Sequence, residues 1–375
     1  MDTICFAVFA FSLSAALSLF FICRTKALSH LHRLSATRRM DRTPHSTIPR
    51  TGGVAIAIAV ALSLLILAMF SPELCHFICS RFWVVLLASF IIFVTGLVDD
   101  FYGLHFTHKL FMQIVATALV VYGGGYRFDT LYLPFLKHSL VLHDWSSVGL
   151  TFIWIIGLCN AVNLADGLDG LAGGVSAIGF FVMLVSVLGS GHLALALVYA
   201  VFLGAILGFL RHNFYPASIY MGDTGALLIG FMFACLALVP HRADSTTLTL
   251  LPVLAMVFPV LDTLLSLLRR LLTGKHPFLA DRLHLHHRLM DKLKLSPLRT
   301  VLLIYLFSAV MGTLAIALHF TQRPMLWGPV LIACAVSSMG AVFVLYADTR
   351  FRRRAKRTDL YLHASQPVHV SNERG

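Results

Sequence analysis

The chain has 375 residues, of which 58% are hydrophobic and only 12% charged, and its mean hydropathy is +0.84. Soluble globular domains carry about 25% charged residues, so this composition excludes an ordinary soluble enzyme and describes a chain built for a bilayer. The net charge of +12 would fit a nucleic-acid partner only if the basic residues formed one binding face, and their spread along the chain points elsewhere.

Apolar runs of about 20 residues cross the hydrocarbon core as helices. Eleven such runs occur, at 4–23, 53–70, 82–98, 110–125, 148–164, 171–189, 192–210, 225–239, 248–268, 301–320 and 326–346. The expected fold is an all-α integral membrane protein with about eleven transmembrane helices. The first run is too long for a cleaved signal peptide and follows Met1-Asp2, which is no basic leader. Eleven spans alternate the loops between two sides, and twenty-four of the 29 Lys and Arg fall on one side. The positive-inside bias then puts the N-terminus outside and the C-terminus in the cytoplasm. Residues 1–347 read as one polytopic domain with cytoplasmic loops at 24–52, 99–109, 163–170, 211–224 and 269–299. Residues 348–375 read as a basic cytoplasmic tail whose Arg350–Arg357 run lies against anionic headgroups. The seven Cys lie mostly in apolar runs, where Cys acts as a small hydrophobe, and show no zinc spacing.

In chain order, the first polar signal is Pro49-Arg50-Thr51-Gly52-Gly53 at the entry to the second run. The third run ends in Asp99-Asp100. Two adjacent carboxylates at a helix C-terminus oppose both the helix dipole and each other, so a divalent cation or a substrate's cations must compensate. Lys109 follows on the same side, where its position suits a charge beside those acids and a snorkelling anchor equally. The fifth run delivers Asn160-Ala-Val-Asn163-Leu-Ala-Asp166-Gly-Leu-Asp169-Gly170 to that face. If helical, Asp166 and Asp169 would share one side with Cβ atoms about 5–6 Å apart. A polar turn needs one or two such residues; this stretch, through Gly174, has two Asn, two Asp and four Gly.

Arg211-His212-Asn213 closes the seventh run, and Tyr220-Met221-Gly222-Asp223-Thr224-Gly225 opens the eighth. Asp223 alone would read as a helix cap, but it reaches the same face as four other carboxylates. Asp262 lies inside the ninth run, about two turns before Arg269-Arg270; an intramembrane Asp is functional or paired by default, and pairing with an inner-face Arg or Lys is the modest expectation. The longest inner loop then carries Asp281-Arg282 and Leu283-His284-Leu285-His286-His287-Arg288. Three His so close invite zinc, yet among Arg and Lys they make a better phosphate pocket.

Carboxylates and cationic side chains on one membrane face suit Mg2+, or Mn2+, bound through carboxylates and substrate phosphates. That is equipment for phosphoryl transfer. A secondary transporter is the alternative from another class, but it should show paired halves and midplane charges. No repeat appears here, and the acids cluster at helix ends.

Over Pro44 to Met290 the chain resembles the polyprenyl-phosphate N-acetylhexosamine-1-phosphate transferases. Five motifs carry the resemblance in family order: Pro49–Gly53, Val98-Asp99-Asp100, Asn160–Gly174, Tyr220–Gly225 and Asp281–Met290. The last resembles the branch that loads N-acetylglucosamine-1-phosphate onto undecaprenyl phosphate. The peptidoglycan branch, which transfers phospho-N-acetylmuramoyl-pentapeptide, has three consecutive His after a Pro, whereas Leu285 interrupts the run here. The resemblance implies a bacterial inner-membrane enzyme whose partners are undecaprenyl phosphate and a UDP-N-acetylhexosamine, releasing UMP, with membrane lipids around it and a homodimer as one assembly. It implies Asp99 as the carboxylate acting on the lipid phosphate, and Asp223 with Asp100 as metal ligands. Asn163, Asp166 and Asp169 would contact the nucleotide or its metal. Lys109, Arg269 or Arg270, His284, His286 and His287 would hold phosphates or sugar.

Overall fold

In the computed structural model, residues 2–32, 48–133, 138–189, 191–239, 251–272, 274 and 284–321 are described. The helices are α1 (Asp2–His32), α2 (Gly52–Phe70), α3 (Pro72–Phe77), α4 (Trp83–Tyr102), α5 (Phe106–Ala118), α6 (Asp144–Ala165), α7 (Leu171–Leu188), α8 (Leu193–Asn213), α9 (Gly222–Leu236), α10 (Leu251–Ala255), α11 (Val257–Leu272), α12 (Leu285–Leu293) and α13 (Pro297–Thr321). The described residues are mostly helical, as expected, and a small hairpin, β1 (Thr130–Leu133) and β2 (His138–Val141), occupies the loop before α6.

Eight of the described helices are long and apolar enough to cross a membrane, and α9, with 15 residues, is shorter. The count of eleven uninterrupted spans is therefore not met among the described residues. The run 248–268 is divided at Met256 into α10 and α11. Pro259 accounts for the break: it lacks the N–H that would bond to the Ala255 carbonyl, and its ring crowds that carbonyl. The run 326–346 and the tail 348–375 lie outside the described residues.

The bundle is built around α7, α8 and α9, which are apolar on every side and buried nearly all round, as such helices must be. Phe180 of α7 stacks on Phe202 of α8 with centroids 5.2 Å apart and meets Phe233 of α9 edge-on at 5.2 Å. Because lipid tails are as apolar as leucine, tight helix contacts depend on small residues. Gly204 and Gly208, four apart on α8, let α1 approach so closely that a Cβ on Gly204 would lie 2.3 Å from the Phe11 carbonyl oxygen. Ser18 completes this seam by donating to the Ala205 carbonyl at 2.8 Å.

Two further glycine crossings seat the first turn of α9. A Cβ on Gly53 would lie 2.2 Å from Gly225 N, and one on Gly96 would lie 2.5 Å from Thr224 Cα. Backbone cannot yield as a flexible side chain can, so Gly96→Ala should push α4 from α9. The expected cost is about 1–3 kcal/mol of stability, seen as a lowered apparent melting temperature in detergent. Among the described residues Gly157 has no neighbour within 4 Å of an added Cβ, so Gly157→Ala should be neutral or slightly stabilising in the same assay.

Candidate active site

The C-terminal ends of α4 and α6 meet the N-terminal ends of α5 and α9, and their polar residues converge. Asp99 is fully buried. Its Oδ1 accepts the Leu104 N–H at 2.7 Å, which fastens the α4–α5 turn, and its Oδ2 lies 3.1 Å from Lys109 Nζ. The same ammonium lies 2.9 Å from Asp223 Oδ2, which also accepts from Asn163 Nδ2 at 3.3 Å. Lys109 is thus no surface anchor: it bridges two carboxylates that would otherwise repel at close range. An amide pair delivers it there. Gln113 and Asn160 exchange hydrogen bonds of 3.3 and 2.7 Å between α5 and α6. Lys109 stands one turn before Gln113 and Asn163 one turn after Asn160, so the pair sets both against Asp223.

Asp100 has a different task from its neighbour. Its Oδ1 accepts the Asp223 N–H at 2.9 Å, and its Oδ2 accepts the Thr224 N–H at 2.9 Å and the Thr224 hydroxyl at 2.6 Å. These three donors make it an N-cap for α9 supplied from α4, at the positive end of the helix dipole. Gly222 permits the approach: its φ is +72°, and a Cβ there would lie 2.5 Å from Asp100 Oδ2. Asp223, which sequence alone could read as the cap, is thereby left facing Lys109.

Residues 166–170 form turns, not helix, so Asp166 and Asp169 do not share a helical face. Asp169 Oδ2 accepts the Ala217 N–H at 3.0 Å. Asn213 Oδ1 accepts the Gly170 N–H at 3.1 Å while its amide donates to the Ile219 carbonyl at 2.9 Å. Tyr305 of α13 donates to the Gly170 carbonyl at 2.5 Å. The segment 49–53 is laid along 220–221 by three backbone bonds, Tyr220 N–H to Pro49 O at 2.8 Å, Gly52 N–H to Tyr220 O at 3.0 Å and Gly53 N–H to Met221 O at 2.9 Å. Burial and the nearby Asp169 raise the Tyr220 phenol above its ordinary value, with Arg50 opposing them.

The histidine helix α12 closes the other side. Asp262, expected to pair with Arg or Lys, instead accepts the Leu285 N–H at 2.7 Å and stands 3.4 and 3.5 Å from the Nδ1 atoms of His284 and His286. A Cβ on Gly167 would lie 2.8 Å from His286 Nε2, so this ring packs directly on the 166–170 turn. Burial, with His286 and His284 beside it, holds the His287 imidazole below the ordinary histidine range, hence neutral near pH 7. Arg269 and Arg270 occupy the last turn of α11, continuing the polar stripe of Asp262 and Ser266; Arg269 Nη2 donates to Ser266 Oγ at 3.2 Å. Asp281 and Arg282 lie outside the described residues.

Among the described residues no group of three or more His, Cys, Asp or Glu is arranged to hold an ion. Mg2+ needs no such closed set: it takes one or two carboxylates and completes its shell with water and substrate phosphates. Asp223 offers such hard oxygens, beside the Lys109 ammonium that it shares with Asp99.

Sequence reading gathers most of this site but omits Gln113, Thr224, Asn213 and Asp262 from the functional set. Gln113 had a readable signal, a buried-face amide one helical turn from Lys109 in an apolar run. The capping role of Thr224 has none, since it depends on where α4 crosses α9.

The profile of glycosyl transferase family 4 matches residues 82–241. A probable undecaprenyl-phosphate N-acetylglucosaminyl 1-phosphate transferase of Bacillus subtilis is 36% identical over 281 residues, 74% of this chain and 75% of the relative. A decaprenyl-phosphate N-acetylglucosaminephosphotransferase of Mycolicibacterium smegmatis is 34% identical over 316 residues, 78% and 77% of the two chains. A phospho-N-acetylmuramoyl-pentapeptide-transferase of Bacillus cytotoxicus is 32% identical over 293 residues, 75% and 87%.

Proposed function

The chain belongs to glycosyl transferase family 4, and we propose that it transfers N-acetylglucosamine-1-phosphate from UDP-N-acetylglucosamine to undecaprenyl phosphate, releasing UMP. The bond formed joins a lipid phosphate oxygen to the sugar-linked phosphorus, and the bond broken joins that phosphorus to UMP. Such a product would begin a cell-surface polysaccharide such as O-antigen. The observation that carries this reading is the Asp99–Lys109–Asp223–Asn163 cluster. It concentrates charges suited to two phosphate-bearing substrates, next to a turn and a histidine helix able to hold a nucleotide sugar. The interrupted Leu-His-Leu-His-His pattern and the names of the first two relatives favour the N-acetylglucosamine branch over the muramoyl-pentapeptide one.

In this reading Lys109 orients a phosphate between the two carboxylates, and Asn163 keeps Asp223 aligned. His284, His286, His287 and one of Arg269 or Arg270 hold the donor's phosphates or sugar, while Asp166 and Asp169 shape the nucleotide end. Mg2+, held by Asp223 and completed by water and substrate phosphates, would supply charge neutralisation of the pyrophosphate as negative charge develops on the leaving UMP. The site faces the cytoplasm of the inner membrane, where UDP-sugars are made.

Purified protein in lipid nanodiscs should release UMP from UDP-N-acetylglucosamine only when undecaprenyl phosphate is added. Release without the lipid, or release only from UDP-N-acetylmuramoyl-pentapeptide, would overturn the assignment. For sidedness, single Cys probes at the exposed Thr107 and Ser296 should escape an impermeant thiol reagent in intact cells and react after permeabilisation. Labelling in intact cells would place the site on the outer face.

A further inference from the structure

We infer that Asp262 is a positioning residue for the sugar-nucleotide donor, acting through His286; the inference rests on the reading that His286 contacts that donor. Asp262 is 2% exposed and His286 1% exposed. A plain helix cap would account for only half of the carboxylate. The Oδ1 atom supplies it, taking the Leu285 N–H at 2.7 Å, and His284 at the N-cap position makes no side-chain cap of its own. The Oδ2 atom is aimed between two imidazoles, 3.4 Å from His284 Nδ1 and 3.5 Å from His286 Nδ1. Their rings lie nearly parallel, 6° apart with centroids separated by 5.8 Å.

Among the described residues Oδ2 has no hydrogen-bond partner, and neither nitrogen of His286 has one. Buried polar atoms left so are costly, and several together mark a place that something else completes. A carboxylate beside Nδ1 favours the imidazole tautomer that carries its proton on that nitrogen, which leaves Nε2 as the acceptor with enhanced basicity. Here the Nε2 of His286, itself buried, lies against the turn at Gly167, which belongs to the same segment as Asp166 and Asp169. Asp262 thus does two things for one helix: it fixes where α12 begins, and it sets which nitrogen of His286 is offered to a ligand. A phosphate or sugar hydroxyl of the donor is the group that such a nitrogen would take.

The test is a double-mutant cycle on the full-length enzyme in nanodiscs, with UDP-N-acetylglucosamine and undecaprenyl phosphate varied separately. Asp262→Asn keeps an oxygen to accept the Leu285 N–H but removes the charge between the imidazoles. It should raise the KM for UDP-N-acetylglucosamine about tenfold, the scale of losing an outer-shell partner, and leave the KM for the lipid unchanged. In a His286→Ala background the same substitution should add less than about twofold, because the two act as a unit. Asp262→Glu restores the charge one methylene further out and should recover part of the donor affinity; it also carries the cycle if Asp262→Asn does not elute as a folded species on gel filtration. Effects that multiply independently, or a raised KM in His286→Ala with none in Asp262→Asn, would overturn the inference alone. No change of donor KM in His286→Ala would overturn the reading of His286 and this inference with it.

Discussion

Asp223→Asn should lower turnover by about three orders of magnitude or more while leaving the protein folded. The substitution keeps the shape of a residue whose side chain faces Lys109 at 2.9 Å and Asn163 at 3.3 Å. It removes the negative charge that a divalent cation would need. Loss of metal charge stabilisation in phosphoryl transfer is worth several kcal/mol of barrier, and each 1.36 kcal/mol is a factor of ten. The Mg2+ concentration giving half-maximal rate should also rise, which a helix cap would not move. Asp100→Asn is the informative comparison, because the two carboxylates are adjacent along the path from α4 to α9 yet do different work. Asp100 holds the Asp223 N–H, the Thr224 N–H and the Thr224 hydroxyl. Its neutral replacement must present an amide N–H2 toward one of those donors. The expected outcome is a lowered melting temperature and reduced rate at an unchanged Mg2+ requirement. An Asp223→Asn enzyme with near-normal rate and unaltered Mg2+ response would return Asp223 to a structural role.

The difference between those two aspartates also marks where sequence reading stops. That Asp99, Asp100, Asp166, Asp169 and Asp223 belong near one another followed from charge asymmetry and from their places at run ends, because a bilayer allows few other arrangements. Lys109 joined them on parity alone, and the contacts with Asp99 and Asp223 agree. Which carboxylate faces the ligand and which faces a helix end is set by rotation of α4 against α9. That rotation is decided by the close approach of Gly96 to the Thr224 backbone and of Gly222 to the Asp100 carboxylate, not by any periodicity in the apolar run. Asp166 and Asp169 show the same limit. Their spacing would align them on a helix, but Gly170 at φ +79° ends the turn in a left-handed conformation. Asn213 and Tyr305, 43 and 135 residues away, hold it there. The division of the run 248–268 was readable in principle from Pro259, but hydropathy averages over such breaks. Its consequence, a polar stripe on α11 that meets the histidine helix, required the packed structure.

Asp99→Asn should cut turnover about a hundredfold or more, by a factor that stays nearly constant from about pH 7 to 9.5. The lipid phosphate, a monoester, has a second pKa of about 6, so over this range it is mostly a dianion and has little need of a base. Asp99 itself is poorly placed to be one. It is fully buried, its Oδ1 is taken by the Leu104 N–H at 2.7 Å, and its Oδ2 stands 3.1 Å from Lys109 Nζ. A general base needs a lone pair within reach of the proton it removes; both oxygens here are directed at the protein. Their effect is to hold the α4–α5 turn and the Lys109 ammonium in register with Asp223, and an Asn keeps the first function but not the second. Removing one member of a buried ion pair costs about 3–5 kcal/mol, enough to displace Lys109 and the phosphate it orients. If Asp99 were the base, its Asn variant would recover as pH rises and the lipid deprotonates unaided. If it were a nucleophile forming an acyl phosphate, wild-type enzyme would exchange labelled UMP into UDP-N-acetylglucosamine without lipid. A rate deficit that shrinks tenfold across the range would overturn the positioning role in favour of the base, and lipid-free exchange would overturn it in favour of the nucleophile. With attack by the lipid phosphate in a single displacement, neither should occur, and Lys109→Met should reproduce the same pH-independent deficit.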